Sequence, residues 1–186
     1  MDYICDTIKA EDNHKRFLIY PGGYYKGRYS GNGRRPKGVE HEILHPYNIY
    51  GFDLDGTIAD IQHRLRYITG KKDYKKFYES CVDDLPRHDV VHLMRELDKE
   101  NIYIFTGRSS TVLVETVKWL KRWNVPYARL YMRHEGNYEK STTLKARMVE
   151  DIKHRIRFMV DDSPSVVDMW RSMGITALYG DWFSTG

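Results

Sequence analysis

From residue 48 onward, short apolar runs alternate with segments in which apolar residues recur every three or four positions. The runs lie at 48–52, 102–105, 128–132, 156–160 and 175–179. Several of them are apolar almost throughout, which is typical of strands that are buried on both faces. Strands and helices in alternation predict right-handed crossovers and a parallel sheet with helices on both sides. The sequence therefore predicts an α/β fold with three layers, α/β/α.

The segments between the runs predict helices that each pack one apolar face on this sheet. The apolar positions are Val90, Leu93, Met94 and Leu97; Leu113, Val117 and Leu120; Leu144, Met148 and Ile152; and Val166, Met169, Trp170 and Met173. Pro86 stands just before the first helix, and Ser163-Pro164 opens the last one, where proline is compatible with the first helical turn. Trp170 belongs to the last apolar face and is expected to be a core residue.

The composition predicts a soluble globular protein. Of the 186 residues, 41% are hydrophobic and 30% are charged, which allows one core of ordinary domain size. No apolar run approaches the roughly 20 residues of a membrane helix, and the first residues lack the pattern of a signal peptide. With Cys5 and Cys81 as the only cysteines, we expect two free thiols, a cytoplasmic location and no membrane partner.

Residues 1–47 are predicted to form a basic, tyrosine- and glycine-rich extension of a domain at 48–186. Between His14 and Val39 there are seven lysines and arginines and no acidic residue. The segment 17–35 has the composition of a β-hairpin or an ordered loop. Cations interleaved with aromatic rings suit a single-stranded nucleic acid. Alternatively, the segment is a solvated loop whose tyrosines cover a sheet edge, and both interpretations stay open.

Carboxylates and cations follow the predicted strands, at the edge where open parallel sheets bind their ligands. They are Asp53 and Asp55 after the first strand; Thr106, Gly107 and Arg108 after the second; Arg133, Lys140 and Lys145 after the third; and Asp161 and Asp162 after the fourth. Crowded carboxylates repel one another, and a hard divalent cation such as Mg²⁺ relieves that repulsion. The set contains no cysteine and no well-placed histidine, which argues against zinc. Carboxylates, Mg²⁺ and cations together predict a site that handles phosphate.

The segments DLDGT, FTGR and VDDS, with a lysine between the second and the third, resemble the ordered motifs of the haloacid dehalogenase (HAD) superfamily of phosphatases. The resemblance implies a Rossmann-like HAD fold. It also implies that Asp53 attacks phosphorus and forms an aspartyl phosphate, and that Asp55 protonates the leaving oxygen and then activates water. Gly56 permits the tight turn, and Thr57 is expected to hold the Asp53 carboxylate or the turn in place, close to the substrate.

The resemblance also assigns the phosphate-binding groups. Thr106 and the N–H of Gly107 are expected to bind the phosphoryl oxygens, and Lys145 is expected to neutralise charge on Asp53 and on phosphorus. The alternative for Lys145 is an ordinary solvated position on a helix.

Four aspartates are expected to form the Mg²⁺ site by the same resemblance. The ligands would come from Asp53, from the carbonyl of Asp55, and from Asp161 or Asp162. The sequence does not decide which of the last two binds the ion directly. Two alternatives stay open: Asp55 with Gly56 as an ordinary turn, and Asp162 as the N-cap of the following helix, with Asp161 as the sole ligand of the pair.

The spacing of the motifs leaves little or no room for a cap domain. About 45 residues separate Thr57 from the second strand, and they predict only one or two short helices. The loop after the third strand, at 133–144, is also too short for a large lid. An open site favours a bulky phosphorylated substrate.

Three segments resemble more narrowly the 3′-phosphatase domain of bacteriophage polynucleotide kinase/phosphatase. They are FTGR, MRHEGNYEKSTTLK and VDDSPSVVDMWRSMGI. The resemblance extends over about residues 48–180 and implies functional, partly substrate-binding, positions for Arg108, Arg133, Lys145, Asp161 and Asp162. These 186 residues contain no G-x-x-x-x-G-K-[ST] motif, so we expect no kinase half of that family among them.

The function implied is a Mg²⁺-dependent phosphomonoesterase that removes 3′-phosphates from DNA or RNA ends in nucleic-acid repair. One alternative is a phosphatase that acts on nucleoside monophosphates. Another is a nucleic-acid-binding module whose phosphatase site is vestigial. His88 and His92 have the spacing of a metal pair, but no third ligand is evident, and we expect both on a helix surface.

Overall fold

The computed structural model describes residues 17–19 and 48–181. The strands are β1 (Phe17–Ile19), β2 (Ile49–Phe52), β3 (Ala59–Asp60), β4 (Leu85–Pro86), β5 (Ile102–Ser109), β6 (Arg129–Arg133), β7 (Ile156–Asp161) and β8 (Ala177–Tyr179). The helices are α1 (Gln62–Leu65), α2 (Tyr74–Glu79), α3 (His88–Arg95), α4 (Leu113–Arg122), α5 (Ser141–Val149) and α6 (Pro164–Ser172). From residue 48 onward, strands and helices follow the predicted alternation.

Six strands form the main sheet, in the order β1-β6-β5-β2-β7-β8. β2 lies in the middle and pairs in parallel with β5 and with β7, and β6 and β8 continue the parallel pairing outward. The predicted parallel sheet is thus confirmed, with one addition. β1 pairs antiparallel with β6, with Phe17 opposite Met132, and it satisfies backbone groups of β6 that an edge strand would leave unpaired. The rest of the predicted extension at 1–47 lies outside the described residues.

Helices cover both faces of this sheet, and each face has its own apolar cluster. α3 and α4 pack with Ile102 and Ile104 of β5, whereas α5 and α6 pack with Tyr103 and Phe105 of the same strand. Alternate residues of a strand point to opposite faces, so the two clusters lie on the two sides of the sheet. Trp170 of α6 is fully buried, as expected. The three-layer α/β/α architecture predicted from the sequence is confirmed.

One predicted core position is wrong. Leu93 in α3 is 48% exposed, whereas Val90, Val91 and Met94 are buried. Leu93 lies about 100° around the helix from the centre of the face formed by these three residues. Val91 therefore takes the place in the core that the apolar spacing assigned to Leu93.

A small insertion lies between β2 and β5. β3 and β4 pair antiparallel, with Ala59 opposite Pro86 and Asp60 opposite Leu85, and the two short helices α1 and α2 lie between them. The carboxylate of Asp73 caps α2 by accepting a hydrogen bond from the N–H of Lys76 at 3.0 Å. The insertion therefore agrees with the expectation of little or no cap domain.

Over residues 48–181, none of the helices has the length and apolar character that a membrane crossing requires. Cys81 is buried and free, as expected, while Cys5 lies outside the described residues. The domain boundary between residues 47 and 48 stays a prediction.

Candidate active site

The carboxyl end of β2 brings the predicted motif residues together. Because β2 lies between β5 and β7, the residues that follow these three strands are neighbours at one edge of the sheet. The N–H of Asp53 donates to the carbonyl of Val160 in β7 at 2.9 Å. Asp53, Thr106 and Asp161 are all buried. Segments that are far apart in the sequence thus meet because of the strand order.

Lys145 connects two of these carboxylates. Its Nζ donates to Oδ1 of Asp53 at 2.6 Å and to Oδ2 of Asp161 at 2.7 Å, and the residue is only 4% exposed. Burial alone would lower the pKa of Lys145, but the charges of Asp53 and Asp161 outweigh burial and raise it. Lys145 is therefore a charged group inside the site and not a solvated helix residue, which removes the alternative considered for it.

Three carboxylates form a compact acidic cluster. Asp53, Asp161 and Asp162 each place one carboxylate oxygen within 4.8 Å of the others. Burial raises the pKa of Asp53 well above its ordinary value, against the opposing effect of Lys145. Burial, with the charge of Asp161, raises the pKa of Asp162 to about 6. A divalent cation with oxygen ligands would relieve this repulsion, so the donor set fits such an ion.

Gly56 makes room for this cluster. Its φ is +96°, in the left-handed region where side chains are strained. A Cβ at this position would lie 2.0 Å from Oδ2 of Asp162. The glycine of the first motif is thus required both by the turn and by the carboxylate that packs against it, which distinguishes the turn from an ordinary Asp-Gly turn.

We expect the metal-free protein to lose stability as the pH rises from about 4 to about 7. The pKa of Asp162 is about 6 in the folded protein against 3.8 ordinarily, so the folded state binds this proton more tightly. The stabilisation is complete below 3.8 and is lost as the pH rises through 6. Thermal melting in EDTA at several pH values measures the effect.

Mg²⁺ should reverse this loss. We expect it to raise the melting temperature more at about pH 7.5 than at about pH 5, because the ion binds the ionised cluster of the folded state. The matched variant is Asp162→Asn, in which both the pH effect and the Mg²⁺ effect should shrink. A melting temperature that rises with pH in EDTA would contradict the account of this cluster.

Asp55 has a different electrostatic environment, although it is only two residues from Asp53. Oδ1 of Asp55 accepts hydrogen bonds from Nη2 of Arg64 at 2.7 Å and from Nε of Arg108 at 3.0 Å. Burial alone would raise the pKa of Asp55, but Arg108 and Arg64 outweigh burial and lower it to about 2. Asp55 is therefore ionised at neutral pH in this structure, and its carboxylate is bound by arginines, which leaves only its carbonyl for the predicted metal site.

Asp84 completes the arginine cluster. Arg64 donates to its two carboxylate oxygens from Nε and Nη2, both at 2.7 Å, and Nη2 of Arg108 donates to Oδ2 at 3.0 Å. Asp84 and both arginines are buried, and Nε2 of the more exposed His63 lies 2.9 Å from Oδ1 of Asp84. Two buried arginines are thus balanced by Asp55 and Asp84.

Sequence reasoning missed Arg64 and Asp84. One signal for Arg64 exists: it stands at the second position of an i, i+3, i+4, i+7 pattern with Ile61, Leu65 and Ile68. A charged residue at a core position of such a pattern indicates a buried, paired charge. No comparable signal marks Asp84, because its partners lie at least 20 positions away along the chain.

Arg108 does not have the position expected of a substrate-binding residue. It is fully buried, and its guanidinium donates to Asp55, to Asp84 and to Oγ1 of Thr116 at 3.3 Å. These bonds orient the general acid–base candidate and leave no donor facing solvent. The sequence motif places an arginine here correctly, but its partners are protein carboxylates.

Thr57 also differs from the expectation. It is fully buried, and its Oγ1 has no hydrogen-bond partner in the described part of the chain. It therefore does not hold the Asp53 carboxylate in this structure. Oγ1 of Thr106, in contrast, accepts a hydrogen bond from the N–H of Arg108 at 3.0 Å, within the part of β5 where the pairing with β6 is irregular.

Arg133 lies beside Gly107 at the open side of the site. Its Nε donates to the carbonyl of Gly107 at 2.8 Å, and its Nη1 donates to the carbonyl of Glu139 at 2.7 Å. Nη2 of Arg133 would be 3.4 Å from a Cβ at position 107. Arg133 is only partly buried, whereas Arg108 is fully buried, and substrate binding by Arg133 stays a prediction.

The remaining sequence expectations concern residues around the cluster. Ser163, not Asp162, is the N-cap of α6, and Asp161 accepts a hydrogen bond from the N–H of Ser163 at 3.1 Å. His88 and His92 are exposed on α3, as expected. Lys140 is exposed just before α5 and has no role in the cluster.

A family model of the polynucleotide kinase PNKP phosphatase domain matches residues 48–181. This range contains every predicted site residue. No curated protein sequence matches the chain.

Solved structures with a similar fold include two of the Pnkp1/Rnl/Hen1 complex. In the first, an RNA repair complex, the match has 25% identity and a TM-score of 0.59 over 72% of this chain and 43% of that chain. The second has 21% identity and a TM-score of 0.60 over 87% of this chain and 58% of that chain. A haloacid dehalogenase-like hydrolase from Streptococcus pneumoniae matches with 13% identity and a TM-score of 0.50 over 72% of this chain and 84% of that chain. The chain thus corresponds to less than two thirds of the two complex chains that it matches.

Proposed function

The chain belongs to the haloacid dehalogenase-type family of polynucleotide kinase PNKP phosphatase domains and is a phosphatase. From this premise we propose that it removes 3′-phosphates from the ends of nucleic acids. One observation carries the proposal: two aspartates, two residues apart, have opposite partners. Asp53 contacts Lys145 at 2.6 Å, and Asp55 is bound by Arg64 and Arg108. A nucleophile and a separate acid–base group need such different environments.

Asp53 is the nucleophile of the proposed reaction. One of its carboxylate oxygens forms a bond to phosphorus while the bond from phosphorus to the 3′ oxygen breaks, which leaves an aspartyl phosphate. A water oxygen then attacks phosphorus, the bond to Asp53 breaks, and inorganic phosphate leaves. Lys145 stays charged throughout and offsets the negative charge on Asp53 and on the phosphoryl group.

Asp55 exchanges the protons in both steps. Its pKa of about 2 suits the second step, in which an ionised carboxylate takes a proton from the attacking water. For the first step Asp55 must carry a proton to the leaving 3′ oxygen. A rotation away from Arg64 and Arg108 toward that oxygen would remove the charges that lower its pKa, so the same carboxyl group can serve in both roles.

Asp53, Asp161 and Asp162 would hold Mg²⁺, together with the carbonyl of Asp55. Asp161 already uses one oxygen for Lys145 and the other for the N–H of Ser163, so we propose Asp162 as the ligand with more freedom. When bound, Mg²⁺ supplies positive charge to the phosphoryl oxygens.

A nucleic-acid end as substrate is supported by the family and by the open site. Between β3 and β4, the insertion contains only the short helices α1 and α2 and one 3-10 turn, which leaves room for a polymer. We propose that Arg133, Thr106 and the N–H of Gly107 bind the phosphoryl oxygens. Repair of RNA is named for one similar complex, and DNA remains an equal candidate for this chain.

A substrate panel tests the proposal. It compares 3′-phosphorylated DNA and RNA oligonucleotides with the same oligonucleotides phosphorylated at the 5′ end, and with nucleoside 3′- and 5′-monophosphates, in Mg²⁺ and in EDTA. We expect the highest kcat/KM for a 3′-phosphorylated oligonucleotide, no activity in EDTA, and a steep increase of KM with salt for oligonucleotides only.

The panel also separates the alternatives. Much faster turnover of a mononucleotide than of any oligonucleotide would contradict the proposal and favour a nucleotide phosphatase. Binding of oligonucleotides in Mg²⁺ without release of phosphate would instead favour a vestigial site.

A further inference from the structure

The insertion between β2 and β5 carries a basic and aromatic surface that the proposed reaction does not use. Its residues, here called the α2 platform, are Arg66, Tyr67, Lys71, Lys72, Tyr74 and Lys76. The four cations are all exposed, and so is Tyr74, of which 51% is accessible. A run of like charges is most often only a solvated surface, but within residues 48–181 this one has unpaired cations, interleaved rings and a connection to the active site.

The first observation is that three lysines of the α2 platform are not paired with a carboxylate of residues 48–181, in contrast to their neighbour Lys75. Lys75, on the same helix, has Glu79 at 3.8 Å, and Asp73 is occupied as the cap of α2. Over residues 48–181, Lys71, Lys72 and Lys76 have no carboxylate within salt-bridge distance. Three neighbouring cations are therefore available to an anionic partner.

The second observation is that aromatic rings lie among these cations. Nζ of Lys76 is 5.0 Å from the ring centre of Tyr67, and Nζ of Lys72 is 5.9 Å from that of Tyr74. Cations that track a phosphate backbone and rings that stack on bases are the two components of single-strand recognition.

The third observation is the direct connection between α2 and the active site. The hydroxyl of Tyr78 lies 3.5 Å from the carbonyl of Gly107. Nη1 of Arg64 donates to the carbonyl of Phe77 at 3.3 Å, and the same guanidinium holds Asp55. Tyr74 is one helical turn from Tyr78, about 6 Å along the axis, so the platform begins at the phosphate-binding side and leads outward.

We propose that the α2 platform binds the single strand that precedes the 3′-phosphate. Lys71, Lys72 and Lys76 contact the internucleotide phosphates, and a base stacks on the ring of Tyr74. This inference rests on the proposed function, because it assigns a binding surface to the substrate of that site. It predicts that the platform contributes to polymers and not to single nucleotides.

The experiment compares two double charge reversals. The test variant is Lys72→Glu with Lys76→Glu, and the matched control is Lys118→Glu with Lys121→Glu, two exposed lysines of α4. Each variant and the wild type are assayed with a 3′-phosphorylated oligonucleotide of about ten nucleotides and with thymidine 3′-monophosphate. Circular dichroism and thermal melting check that both variants fold.

The expected result is a KM for the oligonucleotide at least about 10-fold higher in the test variant than in the control. The KM for thymidine 3′-monophosphate should be unchanged in both. The salt dependence of oligonucleotide binding should flatten by about 1.4 in log–log slope, since each contact to a single strand contributes about 0.7. Equal KM values for the oligonucleotide in test and control variants would overturn the inference.

Tyr74 supplies an independent readout. Tyr74→Ala should weaken binding of the oligonucleotide about 5-fold or more, whereas Tyr74→Phe, which keeps the ring, should bind like the wild type. If both variants bind equally, stacking on Tyr74 is excluded.

The failure of this inference can be told apart from the failure of the proposed function. If the wild type does not hydrolyse the 3′-phosphorylated oligonucleotide, the proposed function fails. If the wild type does hydrolyse it and the platform variants have the same KM for the oligonucleotide as the control, only the inference about the α2 platform is wrong.

Discussion

Replacing Asp53 by asparagine is expected to lower phosphate release by at least about 10⁴-fold, to the background of the assay. Asparagine has the size of aspartate, but its neutral amide cannot form the bond to phosphorus. The contact of Lys145 with Asp161, at 2.7 Å, does not depend on position 53, so the site should keep its shape. The measurement is steady-state release of phosphate from the best substrate of the panel.

The matched control for this variant is Asp168→Asn in α6. It makes the same chemical change at an exposed position that faces Arg171 and is not part of the acidic cluster, and its activity should equal that of the wild type. If Asp53→Asn keeps more than about one tenth of the activity while it folds normally, Asp53 is not the nucleophile and the proposed reaction is wrong.

The second large effect is expected from Asp84→Ala. Asp84 shares two buried arginines with Asp55, and its removal leaves an uncompensated positive charge in the interior. Loss of one partner from such a network costs about 3–5 kcal/mol in the free energy of unfolding. Arg64 and Arg108 should also shift toward Asp55, which lowers kcat. Urea unfolding and phosphate release measure the two effects.

Asp83→Ala provides the control, because Asp83 is the exposed neighbour of Asp84. This variant should change the free energy of unfolding by less than about 0.5 kcal/mol. The free energy of unfolding of Asp84→Asn should lie between those of the two alanine variants, since the amide oxygen can still accept a hydrogen bond. Equal stability of Asp84→Ala and Asp83→Ala would show that the arginines do not need this carboxylate.

The two aspartates of the first motif illustrate how position controls chemistry. Burial dominates at Asp53 and raises its pKa, while two arginines dominate at Asp55 and lower its pKa. Residues two apart in an extended segment point to the same side, but they meet different neighbours. Asp53 lies toward α5 and β7, whereas Asp55 lies toward the insertion and β5. Their proposed roles follow from these neighbours and not from the residue type.

Much of the fold could be predicted because its signals are local. The apolar runs and helical spacings depend on residues a few positions apart, and they were sufficient for the parallel sheet and its two helical layers. The misplaced Leu93 shows the limit of this reasoning: spacing alone did not choose between Leu93 and Val91, since both are apolar and only the packing of α3 decides. A β-hairpin or an ordered loop at 17–35 was expected, but the antiparallel pairing of β1 with β6 was not, because an edge strand depends on what its partner leaves unpaired.

The candidate site divides in the same way. The sequence by itself determined which carboxylates and cations follow the strands, because these residues form short motifs whose order survives in the linear chain. Only the tertiary structure decided what each of them contacts. In the structure, Arg108 donates to Asp55, and Arg64 and Asp84 belong to the same arginine cluster. Among the described residues, Oγ1 of Thr57 has no hydrogen-bond partner. The physical reason is that a buried charge must find its counter-charge in space, and that partner can lie anywhere along the sequence.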